Sequence, residues 1–160
     1  MLIDFSRLSR TWAELAPKFS DKDVSVDVDC ADCEIFFRSS DNSVHLRRSD
    51  DWWLVDTVND RGQRSDGKAQ FSTFSLAEKY LIWDWLTSAD SNLAYGPLGG
   101  DLYAQGYAAE VEVSDLGDYQ IKICFREECA VLFTGTATIF SHVMKFSLSE
   151  IEKIANIKLV

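Results

Sequence analysis

Proline is nearly missing from this chain, with two in 160 residues, and neither a fixed-period repeat nor a low-complexity tract interrupts it. Those absences set aside collagen-like and disordered chains, which need proline, glycine or charge in place of apolar residues. No apolar run approaches the roughly 18 residues of a membrane span. The opening Met-Leu-Ile-Asp-Phe-Ser-Arg has neither the basic region nor the long apolar stretch of a secretory signal, so the expected address is cytoplasmic. Bases are scarce as well: 16 Lys and Arg face 26 Asp and Glu, a formal net charge of −10. That balance repels phosphate backbones and anionic lipid, so nucleic acid and the membrane are not expected partners, whereas a basic protein is.

What is present suffices for one domain over residues 1–160. The chain is 46% hydrophobic and 12% aromatic, and at this size a fold buries roughly 70% of its unfolded surface without a metal or disulfide staple. Phe5, Leu8, Trp12 and Leu15 step by three and four, which predicts an amphipathic helix ending near Pro17. From Val24 the period becomes two, and strands are expected over Val24–Cys30, Glu34–Arg38, Val44–Arg48 and Trp52–Val58. Asn59–Lys68 has no apolar side chain and reads as an exposed loop. Ser75 and Glu78 have capping-box spacing ahead of a helix running to about Ala89. Ser91–Gly106 reads as a turn-rich connection with a helical turn near Asp101–Gln105.

Further strands are expected at Val111–Val113, Tyr119–Phe125, Cys129–Phe133 and Thr136–Phe140. A second capping box, Ser147 to Glu150, opens a terminal helix. The predicted fold is α+β: a largely antiparallel sheet with helices at the N-terminus, in the middle and at the C-terminus.

Chemistry-bearing residues are few. Cys30-x2-Cys33 and Cys124-x4-Cys129 have the donor count of a zinc site, but the second spacing is loose and the pairs lie far apart, so ordinary cytosolic thiols are expected and no metal is assigned. Redox work by Cys30 and Cys33 is disfavoured by their strand-like flanks. His45 and His142 have no neighbouring nucleophile or carboxylate in a catalytic arrangement. Gly96-Pro-Leu-Gly-Gly100 lacks the Lys-Ser/Thr ending of a phosphate loop, and Asp27, Asp29 and Asp32 lack the glycine and closing glutamate of a calcium loop. No cofactor and no enzymatic activity are expected.

Charge placement says more. Residues 71–120 hold one base, Lys79, against Glu78, Asp84, Asp90, Asp101, Glu110, Glu112, Asp115 and Asp118. A concentrated negative field speeds capture of a basic protein, and nearby aromatics anchor it. Trp52 and Trp53, adjacent in a strand, point to opposite faces, and Trp83 and Trp85 to nearly opposite sides of a helix. Tyr95, Tyr103 and Tyr107 flank the glycine-rich connection. The candidate partner-binding residues are therefore Trp52, Asp60, Arg61, Trp85, Tyr95, Asp101, Tyr103 and Glu110, with Asn59–Lys68 as an alternative exposed surface.

Three segments carry a resemblance: Trp53-Leu-Val-Asp-Thr-Val-Asn-Asp-Arg-Gly62, Phe74-Ser-Leu-Ala-Glu-Lys-Tyr-Leu81 and Gly96-Pro-Leu-Gly-Gly-Asp-Leu-Tyr103. They are similar to the immunity family that neutralises secreted, NAD-cleaving necrotizing toxins of mycobacteria and relatives, within the wider class of polymorphic-toxin immunity proteins. The resemblance implies a cytoplasmic antidote, monomeric when free, that binds the toxin's catalytic domain one to one and occludes its NAD pocket. The alternative is a small metal-binding or enzymatic domain whose site assembles from His45, His142 and the cysteines.

Overall fold

The computed structural model describes residues 2–20, 23–28 and 30–159; Asp29, named above in setting aside a calcium loop and within the strand expected over Val24–Cys30, lies outside them. Eight antiparallel strands form one sheet in the order β1-β2-β3-β4-β5-β8-β7-β6. A meander, β1 (Ser25–Val28), β2 (Ile35–Arg38), β3 (Ser43–Ser49), β4 (Trp52–Val58) and β5 (Arg64–Phe71), meets a second one, β6 (Glu112–Gly117), β7 (Gln120–Phe125) and β8 (Glu128–Phe133), along the β5–β8 seam. The α+β expectation is met.

Alternation decides which face is covered. Register places Ile35, Leu46, Val55 and Ala69 in one row and Trp53, Phe71, Ala130 and Ile123 in another, all on one face and all buried. Over that face lie α1 (Ser6–Leu15), α2 (Phe74–Ala89) and α5 (Thr136–Val143). Pro17 falls in the 3-10 turn Ala16–Lys18 that closes α1. The Trp12 indole of α1 donates to the carbonyls of Ser25 and Arg38 and packs 5.0 Å from Trp85, which fastens helix to sheet. Helix α2 is apolar nearly all round, the pattern of a central helix, and Tyr80, Trp83, Trp85 and Leu86 are all buried. The two short helices α3 (Ser91–Tyr95) and α4 (Gly100–Ala104) follow it, and α6 (Leu148–Ala155) closes the chain behind the Ser147–Glu150 capping box read from the sequence.

Three expectations are corrected. The stretch 59–68 is not all loop: β5 begins at Arg64, and its exposed first half pairs with β4 through backbone bonds that need no apolar side chain. The cap of α2 is Thr73, whose Oγ1 accepts from Leu76 N, while Glu78 reaches Arg7 instead of the cap. Thr136–Phe140 is the start of α5 rather than a strand. Its β-branched residues are overridden because Ala137, Phe140 and Val143 bury one helical stripe beneath α2 and β8.

Candidate functional site

Helices α3 and α4 form a rigid corner. Gly99 is required there, because a Cβ would stand 1.8 Å from the Ala94 carbonyl oxygen. Leu98 is fully buried and its carbonyl accepts from the Trp83 indole at 2.7 Å. The glycine-rich stretch is thus a packing device, and it turns Tyr95 and Tyr103 outward, 84% and 56% exposed. Beyond it the chain is pinned to α5: Ser141 Oγ accepts from Ala108 N at 2.9 Å, and Lys145 Nζ donates to the Ala109 carbonyl at 2.8 Å. Tyr107 and Glu110 project from this pinned stretch.

The exposed run continues into β6, an edge strand whose residues are all exposed. At the β6–β7 turn, Asp118 and Tyr119 both take positive φ, 53° and 63°, a costly conformation for a bulky residue. Tyr119 is 81% exposed there, with Leu116 and Phe133 also exposed. No Lys, Arg or His occurs from Tyr80 to Ile121. Asp90, Asp101, Glu110, Glu112, Asp115 and Asp118 are exposed, and none of them forms an ion pair among the described residues. Along the chain from Asp90 to Tyr119, exposed carboxylates without an ion pair among the described residues thus alternate with exposed tyrosines.

Of the residues singled out from sequence, Tyr95, Asp101, Tyr103 and Glu110 are exposed along this run. Trp52 is half-buried on the sheet's open face, where Lys122 Nζ stands 5.9 Å from its ring, and Trp53 is buried on the covered face against Phe74, as alternation requires. Asp60 and Arg61 are exposed at the β4–β5 turn, at the same end of the sheet as Tyr119. Trp85 is a correction. At 1% exposure, enclosed by Trp12 and Phe37, it belongs to the core and offers no surface to a macromolecular partner. Sequence reading missed Leu116, Tyr119 and Phe133. The turn signal at Gly117-Asp118 was the available clue to them.

A second cluster occupies the open face of the meander. At an irregularity between β4 and β5, the wholly buried Asp56 carboxylate accepts from Arg47 Nε, Arg64 and the backbone N of Gly67, whose φ of +61° suits glycine. Burial opposes the charge, but Arg47, Gly67 and Arg64 outweigh it and hold the Asp56 carboxyl below the usual carboxylate range. Arg64 also reaches Asp32 at 2.8 Å and Asp66 at 2.7 Å. The β1–β2 connection folds over this face and sets Cys30 and Cys33 beside His45, which stacks on Phe36 at 4.0 Å. Burial, then Arg64, lowers the His45 pKa, favouring the neutral imidazole.

Both cysteine pairs are joined as disulfides, Cys30–Cys33 and Cys124–Cys129, where free thiols were expected. Cys124 and Cys129 are direct cross-strand partners in β7–β8. The pairs flank opposite parts of the sheet with β3, β4 and β5 between them, roughly 15 Å or more at the usual strand spacing, so no four-cysteine centre forms. His142 lies apart from His45, on α5, with its Nε2 2.7 Å from the Gly106 carbonyl. His45 with Cys30 and Cys33, the Cys124–Cys129 pair, and His142 thus occupy separate parts of the fold.

A recess of about 350 Å³ opens beneath α2, between Trp12, Trp85, Lys68 and the β4–β5 hairpin. Asp84 lines it, its carboxyl without a hydrogen-bond partner among the described residues, and burial raises its pKa against the weaker pull of Lys68. The Trp85 indole N–H is also buried without a partner among the described residues.

No family model matches the chain, and no curated protein matches it in sequence. Among solved structures, Rv3902c from M. tuberculosis is similar in fold, with a TM-score of 0.62 and 12% identity over 76% of this chain and 74% of that one. At that identity the likeness concerns architecture alone. Among the described residues no helix is long and apolar enough to cross a membrane.

Proposed function

We propose that this protein is a cytoplasmic immunity protein that binds, one to one, the catalytic domain of a secreted toxin, an NAD glycohydrolase, and blocks its active site. The observation that carries this reading is the exposure of Tyr95, Tyr103, Tyr107 and Tyr119 along a run with six exposed carboxylates that form no ion pair among the described residues. A pocket that takes NAD must accommodate a pyrophosphate and two flat rings, so it presents positive potential and apolar slots. Carboxylates beside flat phenols are complementary to both, and tyrosine buries contact area at low entropic cost. The resemblance of the three sequence segments to the immunity factors of NAD-cleaving toxins supports the same reading. Inhibition of this kind is steric, aided by electrostatic steering, and the immunity protein makes and breaks no bond.

The test is NAD hydrolysis by the catalytic domain encoded in the neighbouring reading frame, with and without one equivalent of this protein. Turnover should cease at equimolar ratio. Undiminished turnover, with the two proteins eluting separately on a sizing column, would refute the reading.

A further inference from the structure

The β1–β2 connection has donor chemistry that toxin binding does not use. The sulfur atoms of Cys30 and Cys33 and a ring nitrogen of His45 lie within 4.8 Å of one another. His45 Nδ1 is buried and has no hydrogen-bond partner among the described residues, although buried polar atoms nearly always have one. Asp32, between the two cysteines, places Oδ1 3.9 Å from that nitrogen. Around a tetrahedral zinc ion, with bonds of about 2.0 to 2.3 Å, ligand atoms stand roughly 3.3 to 3.8 Å apart. Reduction lets the two sulfurs part to that spacing, the imidazole nitrogen lies within 4.8 Å of them, and the exposed Asp32 side chain is the group that must swing inward.

We propose that, once its disulfide is reduced, this connection forms a mononuclear zinc site from Cys30 Sγ, Cys33 Sγ, His45 Nδ1 and the Asp32 carboxylate. The surroundings fit the charge. Two thiolates and a carboxylate leave a divalent ion with a net −1, and the guanidinium of Arg64, 2.8 Å from Asp32, offsets it and orients the carboxylate. Phe36 fixes the imidazole plane by stacking. Cys124 and Cys129 have no such company: among the described residues, Cys30, Cys33 and His45 form the one group of three close metal-binding side chains.

Loading proceeds in two balanced steps. A thiol reductant of the glutathione class delivers two electrons and two protons to the Cys30–Cys33 bond and leaves as its own disulfide. Each cysteine then loses its proton to solvent as its sulfur binds the ion, so two protons are released per metal. The ion joins edge strand β1 and its turn to β3, a clip that oxidation opens. This site is independent of the toxin-binding reading, and its test needs no toxin.

The full chain, reduced under anaerobic conditions, is titrated with Co2+ and then Zn2+. One equivalent of Co2+ should give thiolate-to-cobalt charge transfer and the intense visible bands of a tetrahedral ion, bleached by one equivalent of Zn2+. Cys30→Ser or Cys33→Ser should abolish the bands. His45→Gln should weaken binding by at least about tenfold, and the Cys124→Ser, Cys129→Ser double variant should bind as the parent does. Alkylation of the reduced parent, read by mass spectrometry, guards against misfolded variants: zinc should protect Cys30 and Cys33 and leave Cys124 and Cys129 reactive. Absence of tetrahedral bands in the folded, reduced parent, bands that survive loss of both Cys30 and Cys33, or equal alkylation with and without zinc would each overturn the proposal.

Discussion

Two acid-rich regions of the molecule are built on opposite principles. On the open face of the meander, Asp56, Asp32 and Asp66 share Arg64, and Asp56 takes Arg47 as well, so the carboxylates are matched locally. In the run from Asp90 to Tyr119, six exposed acids have no ion-pair partner among the described residues. Charge matched within a chain holds that chain together, whereas charge left unmatched projects a field that another molecule can use. The first region should therefore respond to substitution in stability, the second in association.

The largest effect belongs to the matched region. Asp56→Ala leaves two guanidinium groups and the Gly67 N–H without their buried acceptor, and should cost about 3 kcal/mol, read from the midpoint of chemical denaturation. Because the folded Asp56 pKa lies below its unfolded value, its contribution is present above the unfolded pKa and is lost as pH falls through the folded one. The parent should accordingly lose more stability on acidification than the variant. Equal losses would show that Asp56 is not the group responsible.

Next in size is the unmatched region. Tyr103→Ala should weaken the toxin complex by about 2 kcal/mol, close to thirtyfold, with little change in unfolding. Calorimetry of the complex beside a melt of the free protein separates the two. The charge reversals Asp101→Lys and Glu110→Lys together should slow association several-fold and flatten its dependence on salt, while dissociation changes less. An unchanged on-rate in stopped flow would mean that steering passes through another face.

Asp84 crosses the comparison, being an acid held in a recess without a close counter-charge. Its folded pKa is raised by burial, so Asp84→Asn should stabilise the protein at neutral pH, and the gain should vanish below the unfolded carboxylate pKa, where Asp84 is protonated in both states. Melting temperatures at two pH values decide this. The smallest change in structure is expected from reduction. Each disulfide joins residues already close in sequence, so circular dichroism should show a folded protein in excess reductant.

How much of this was legible in the sequence depended on whether the cause was local. The period-two runs of β2, β3 and β4, the three- and four-residue steps of α1 and the Ser147–Glu150 box carry their own structure. Thr136–Phe140 did not, because its helix is imposed by burial of Ala137 and Phe140 under α2. Trp85 was misplaced for a related reason. A helix that is apolar nearly all round has no clear polar stripe to mark its exposed side, and periodicity does not report what covers it. Tyr95 and Tyr103 were readable beside the glycines, but the exposed group of Leu116, Tyr119 and Phe133 needed the pairing of β6, β7 and β8 to bring it to one end of the sheet.

By itself the sequence determined the strand and helix alternation, the antiparallel class and the concentration of negative charge between Glu78 and Asp118, because hydrophobic period, turn chemistry and charge are properties of neighbours along the chain. Only the tertiary structure decided which acids are matched by arginine, which tryptophans are core, and that Cys30, Cys33 and His45 share one place. Those depend on distances between residues far apart in sequence, set by the register of β1 to β5 and by the way the β1–β2 connection folds back over the open face of the sheet.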